Sequence, residues 1–180
     1  MVYVMLGTGF EEIEALAPVD LLRRAGVEVL TVGVTGKTVY GSHNIGIEAD
    51  ITLEEMDLTN LEMIVLPGGL GGVASARASQ GVLDALRFAW ENDKFVAAIC
   101  AGPTVLADLG ITEDRQATCY PGCEVQMGTA AIISGAPYVR DGKLLTGASA
   151  GCAIPFSLAL IEALKGADTA KAIAEQIVIR

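Results

Sequence analysis

The stretch Val96-Ala97-Ala98-Ile99-Cys100-Ala101-Gly102-Pro103-Thr104 puts a thiol at the corner where an apolar strand runs into a helix. Ala101 and Gly102 are small enough to let the helix begin close to the strand. Pro103 suits a first helical turn, where its missing N–H costs little. A sulfur there sits beside helix N-terminal amides and the positive end of the helix dipole. That predicts a lowered thiol pKa and a nucleophilic thiolate. The layout is that of a nucleophile elbow, with Cys100 in the serine's place and without the full Gly-x-Ser-x-Gly pattern. A buried packing cysteine is the competing reading, because free cysteine is among the most buried residue types.

Glu14 is the second reactive candidate. With successive residues about 100° apart on a helix, Glu12, Asp20, Arg23 and Arg24 share one polar sector. Glu14 falls in the opposite sector, between Leu21 and Ala25 and beside Ala17. A carboxylate on an apolar stripe is costly unless it is paired or protonated, and burial raises its pKa. A protonated Glu14 near a thiolate can donate a hydrogen bond and then move protons to and from a substrate. Glu11 lies on the same face but at the helix start, where a carboxylate can satisfy the orphan amides.

Two glycine-rich turns complete the candidate chemistry. Pro67-Gly68-Gly69 leaves backbone amides beside a strand end, where Gly68 and Gly69 could hold an oxyanion next to Cys100. A tight turn explains the same glycines. Gly7-Thr8-Gly9 begins like a dinucleotide fingerprint, but Glu12 replaces its third glycine and acidic residues crowd the helix start. A pyrophosphate would be repelled there. Cys119 and Cys123 are spaced Cys-x-x-x-Cys, and with a single histidine in the chain they do not make a zinc set. No metal is expected.

The elements that must position these groups are legible as alternating apolar runs and helical patterns. Strands are expected over Val2 to Leu6, Val27 to Val34, Met63 to Leu66, Phe95 to Ile99, Gln116 to Cys119 and Lys143 to Thr146. Helices are expected over Phe10 to Ala25, Gly81 to Asn92, from Ala101 onward, Pro155 to Leu164 and Thr169 to Val178. Small extended pieces of hairpin type lie around Gly36-Lys37 and Gly41-Ser42. Continuous apolar strands between helices mean an α/β fold, a mostly parallel sheet covered on both faces. Ligands in such sheets bind at the carboxyl ends of the strands, where Gly7-Thr8-Gly9, Gly68-Gly69 and Cys100 all stand.

The chain has 180 residues, enough for one domain with a full core. Its 12 Lys and Arg against 22 Asp and Glu give a net charge of −10. That excludes a phosphate-reading nucleic-acid binder and disfavours an anionic membrane surface. A hydrophobic share of 52% excludes disorder. The N-terminal stretch lacks the basic start of a signal peptide, and no apolar run reaches membrane-spanning length. A cytoplasmic location is therefore expected, with Cys100, Cys119, Cys123 and Cys152 reduced.

Taken together, Glu11-Glu12-Ile13-Glu14, Pro18-Val19-Asp20 with Arg23-Arg24-Ala25-Gly26, Val65-Leu66-Pro67-Gly68-Gly69 and Ala97 to Thr104 resemble the ThiJ/PfpI superfamily, in the branch of the parkinsonism-associated cysteine protein. Tyr120-Pro121-Gly122 and the helix from Phe156 to Leu164 extend the resemblance over nearly the whole chain. It implies a flavodoxin-like three-layer sandwich in one domain, 1–180, and usually a homodimer. It also implies Cys100 as nucleophile or redox sensor, Glu14 bonded to its sulfur, and the amides of Gly69 and Ala101 as oxyanion donors. The implied activities are glutathione-independent glyoxalase, which converts methylglyoxal to lactate, and deglycase. A redox-sensing or chaperone role and an intracellular hydrolase are alternatives. The substrate would be a small aldehyde or dicarbonyl, and no cofactor is implied.

Two positions depart from that pattern. Tyr120 stands where many relatives carry a histidine, and a phenol is a poor general base at neutral pH. Ala148 stands where many carry an arginine. By analogy the region of His43 reaches a dimer partner, so no Cys–His pair is expected within one chain. Cys119, next to Tyr120, is a candidate resolving thiol for oxidised Cys100.

Overall fold

The computed structural model describes residues 1–179. The chain runs β1 (Val2–Leu6), α1 (Glu12–Arg24), β2 (Val29–Gly33), β3 (Thr38–Tyr40), β4 (Gly46–Glu48), β5 (Ile51–Thr52) and β6 (Met63–Leu66). Then come α2 (Leu70–Ala78), α3 (Gln80–Glu91), β7 (Phe95–Ile99), α4 (Pro103–Asp108), β8 (Gln116–Ala117) and β9 (Ala131–Ile132). It closes with β10 (Tyr138–Asp141), β11 (Leu144–Gly147), α5 (Ala153–Lys165) and α6 (Ala167–Gln176).

The main sheet has the order β10-β11-β7-β6-β1-β2-β5. Every pairing in it is parallel except β10 with β11. The central strands β1, β6 and β7 are apolar at every position because each face of the sheet has its own helical layer. Val2, Val4, Leu6, Met63, Val65, Ala97 and Ile99 join one core layer with α1, α5 and α6. The alternate residues Tyr3, Met5, Ile64, Leu66, Val96 and Ala98 join the other, under α2, α3 and α4. The period of two along a strand thus divides one continuous apolar run between two cores. β3 and β4 form a separate hairpin, and β8 pairs with β9.

Several boundaries differ from the sequence pattern, three of them for evident local reasons. α1 begins at Glu12 rather than Phe10, because the Phe10 and Glu11 amides donate to Gly7 and Gly68 carbonyls instead. Val27 lies outside β2, its amide taken by the Leu22 carbonyl at the end of α1. β8 stops at Ala117, where the next amide, of Thr118, turns to Thr146 Oγ1 at 2.8 Å.

Four elements, β5, β9, β10 and α2, were not expected. β10 adds an antiparallel edge to β11. α2 begins straight after the Gly68-Gly69 turn and carries Gly71 and Gly72 in its first turn. Those glycines permit contact rather than flexibility. A Cβ on Gly72 would stand 2.7 Å from Phe10 Cα, and one on Gly71 would stand 2.9 Å from the Thr8 carbonyl. The helix therefore lies directly on the β1–α1 loop. Strands are added outward from β1 on one side and then, from β6, on the other, so the crevice at the carboxyl ends of β1 and β6 is a topological switch point.

Candidate active site

Cys100 leaves β7 with φ +65°, a left-handed conformation that a non-glycine residue adopts at a cost of about 1–3 kcal/mol. Two backbone bonds hold it there. Its amide donates to the Gly147 carbonyl at 2.9 Å, and its carbonyl accepts the Tyr120 amide at 2.8 Å. The corner turns the thiol away from the sheet toward the amides of Gly69 and Ala101, both of which lower its pKa. They do not prevail. Burial, then the charge and hydrogen bond of Glu14, push the Cys100 thiol up to about 12. This direction is opposite to the one the dipole argument gives. α4 is only six residues long, and burial first, then the Glu14 carboxylate, outweigh what its N-terminus contributes.

Glu14 is 0% exposed in the middle of the α1 core face. Its Oε2 accepts the Gly68 amide at 2.9 Å, while Oε1 has no hydrogen-bonding partner. Burial raises its pKa to about 7, against the lowering effect of the Cys100 and Gly68 hydrogen bonds. Gly68 is what allows carboxyl and thiol to meet. A Cβ there would lie 2.6 Å from Glu14 Oε2, 2.7 Å from Cys100 Cβ and 3.1 Å from Cys100 Sγ. With Glu14 ionised the thiol keeps its proton. A thiolate forms when that proton passes to Glu14, so the two groups act as one acid pair.

In front of the sulfur opens a cavity of about 510 Å³. Cys100, Gly69, Ala101 and Tyr120 line it, with Gly9, Glu11, Ser42, His43, Leu70, Gly71 and Cys123. Glu14 and Gly68 are not on the cavity wall, and the Gly68 amide expected to hold an oxyanion is instead donated to Glu14. Gly69 has φ +85°, and a Cβ on it would meet the Gly9 carbonyl at 2.4 Å. Glycine is therefore required for the turn that presents this amide. Tyr120 is 49% exposed at the rim. Cys119 is not at the cavity. It is 5% exposed and packs with Ala117 and Met127 in a separate small cluster. Ala148 also lies outside the lining.

The far wall comes from the β3–β4 loop, which docks on the start of α1. Gly9 donates to the Tyr40 carbonyl at 2.7 Å and Ser42 to the Phe10 carbonyl at 2.8 Å. This loop buries Glu12, which helical periodicity had put on the solvent face. The His43 amide donates to Glu12 Oε1 at 2.8 Å, and His43 Nδ1 lies 2.9 Å from Oε2. Burial pushes the Glu12 carboxyl up, but the His43 and Ser42 hydrogen bonds outweigh it and hold the pKa at about 2. Glu11 makes no side-chain cap on α1, contrary to the orphan-amide reading. Its Oε2 lies 2.9 Å from the Ser42 hydroxyl.

His43 thus lines the same cavity as Cys100 within one chain. Its ring is engaged by Glu12, and no hydrogen bond joins it to Cys100 among the described residues. Glu11, Glu12 and His43 bring ligand-type atoms within 4.8 Å of one another. Their hydrogen bonds to each other and to Ser42 account for that arrangement. The cavity residues that sequence reasoning missed, Leu70, Ser42 and Cys123, come from a concealed helix, a loop and a turn. Only Cys123 carried a signal, the Tyr-Pro-Gly-Cys sequence of a type II turn.

The family model described as DJ-1/PfpI matches residues 1–163. Protein dj-1beta of Drosophila melanogaster is 34% identical over 178 residues, covering 98% of this chain and 95% of that protein. Its crystal structure superposes with a TM-score of 0.95 over 99% of this chain and 97% of its own. Toxoplasma gondii DJ-1, solved in an oxidised form, is 32% identical with a TM-score of 0.94, over 98% of this chain and 97% of its own. A deglycase of Pyrococcus abyssi is 28% identical over 131 residues, 73% of this chain and 78% of that protein.

Proposed function

This chain belongs to the DJ-1/PfpI family, and from that premise we propose that it is a cysteine-dependent enzyme of reactive dicarbonyls, converting methylglyoxal to lactate without glutathione. The observation that carries the reading is the buried Glu14–Cys100 pair behind an open cavity, with the Gly69 and Ala101 amides directed at the sulfur.

The Cys100 thiol passes its proton to Glu14, and the thiolate attacks the aldehyde carbon. The oxyanion of the resulting hemithioacetal is stabilised by the Gly69 and Ala101 amides and then protonated. Glu14 removes the hydrogen on the former aldehyde carbon and returns a proton to the neighbouring carbon. The product on sulfur is a lactoyl thioester. Water cleaves it, releasing lactate and restoring the thiol. No atom of this route calls for a nucleotide or a metal.

A homodimer in the cytoplasm, with a small aldehyde as its partner molecule, belongs to the same proposal. A second reading, a redox sensor without turnover, is favoured by one observation, the oxidised form in which the Toxoplasma relative was solved. A cysteine hydrolase fits less well, because His43 is held by Glu12 and offers Cys100 no base.

Methylglyoxal consumption with lactate detection, comparing the wild type with Cys100→Ala, separates these readings. Lactate formed by the wild type and abolished in the variant is the expected result. If Cys100 reacts with peroxide while no lactate forms, the redox reading replaces this one.

A further inference from the structure

Three cysteines besides Cys100 are reduced in this structure: Cys119, Cys123 and Cys152. Cys119 is buried in its own cluster. Cys152 sits under the Ser149 hydroxyl at 3.8 Å and is not at the cavity. Cys123 alone of the three lines the Cys100 cavity.

The chain delivers Cys123 there by a short, specific device. The Tyr120 amide is tied to the Cys100 carbonyl at 2.8 Å, and the Cys123 amide to the Tyr120 carbonyl at 2.9 Å. Between them Pro121 and Gly122, the latter with φ +98°, make the reversal. Tyr120, Pro121 and Gly122 are exposed, and nothing lies within 4 Å of where a Gly122 Cβ would be. The turn is anchored at the nucleophile's own carbonyl and its tip is free of packing, while Cys123 itself is partly buried against the core layer under α2, α3 and α4 and against the Cys119 cluster.

We propose that Cys123 is the resolving thiol of Cys100, so that a hydroperoxide drives this pair to an intramolecular disulfide in place of irreversible oxidation of Cys100. The proposal rests on Cys100 being a reactive thiolate and not on the dicarbonyl chemistry. The thiolate attacks the terminal oxygen of the hydroperoxide, the O–O bond breaks, and an alcohol or water leaves with one proton. Cys100 becomes a sulfenic acid. The Cys123 sulfur then attacks the Cys100 sulfur. The S–S bond forms, the S–O bond breaks, and the hydroxide leaves as water with the Cys123 proton. The hydroperoxide has been reduced by two electrons and the two thiols oxidised by two. A small dithiol such as dithiothreitol returns both to the reduced form by exchange. Disulfide geometry needs Cα atoms about 4.4–6.8 Å apart, so the turn closes onto the corner as the bond forms.

The test is intact-mass analysis after excess hydrogen peroxide on the wild type, Cys123→Ser and Cys119→Ser, with Cys100 alkylation confirming an intact site in each before oxidation. The wild type and Cys119→Ser are expected to lose two hydrogens, reversibly with dithiothreitol. Cys123→Ser is expected to lose the cross-link entirely and gain two oxygens on Cys100. The proposal is overturned if the wild type accumulates the two-oxygen form as fast as Cys123→Ser. It is equally overturned if Cys119→Ser is the variant that abolishes the cross-link, or if Cys100 is alkylated yet inert to peroxide. Lactate formation by the same samples tests the dicarbonyl reading separately.

Discussion

Glu14 bears the electrostatic cost of the site, and its pKa of about 7 shows when. Below the ordinary carboxyl value it is protonated whether the chain is folded or not, and costs nothing. As pH rises toward 7 the unfolded chain releases this proton first, so folding stability falls. Above about pH 7 the penalty is complete, on the order of 3 kcal/mol from the shift. Glu14→Gln removes the charge. Its melting temperature should exceed the wild type's at about pH 8 and match it at about pH 4. The same variant should lose about 100- to 10,000-fold in turnover, the usual worth of a positioned acid–base. Cys100 alkylation should persist and titrate at lower pH, because the carboxylate's charge and hydrogen bond both raise the thiol. Undiminished turnover, or a thiol that titrates no lower, would refute the role assigned to Glu14.

At the scale of elements, the site is an intersection of strand ends, and its tightest point is the β6–α2 turn. Gly68→Ala would drive a methyl group into both Glu14 Oε2 and Cys100 Cβ. Overpacking of this kind costs about 1–3 kcal/mol, and here the strain falls on the reacting pair. The expected outcome is a folded protein with a lower melting temperature and turnover reduced by more than the loss of stability explains. A variant with wild-type kinetics would mean that the close approach is incidental. The β1, β6 and β7 strands, and the corner that carries Cys100, were legible in the sequence because apolar runs of strand length ended in glycine or cysteine. Glu14 was legible because one helical stripe contained one charge too many. α2 was not, since Gly71 and Gly72 read as a turn until Phe10 and Thr8 are seen pressed against them. Nor was the direction of the thiol pKa, which depends on a burial and a carboxylate distant in sequence. Cys119 and Cys123 could not be ranked for the same reason. Four residues apart around a turn, both pack against the same small cluster, but only Cys123 also lines the cavity.

For the whole molecule, the two core layers have unequal claims on the site. Phe156 of α5 is fully buried and lies against Gly147, whose carbonyl holds the Cys100 amide. Leu86 of α3 is equally buried in the opposite layer. Phe156→Ala should cost about 3–5 kcal/mol and Leu86→Ala about 2–5 kcal/mol. Assayed well below their melting temperatures, only the Phe156 variant should lose turnover. Equal losses in both would mean that the corner senses global stability alone. The sheet's margins have a different consequence. β5 offers only two residues at one edge, and at the other Asp141 of β10 already takes the Gln116 amide at 2.9 Å. Neither border presents a long free ladder to a strand from another copy. With a net charge of −10 adding mutual repulsion, the native protein should resist edge-to-edge fibril growth even when crowded, a form of colloidal protection built into where the sheet stops.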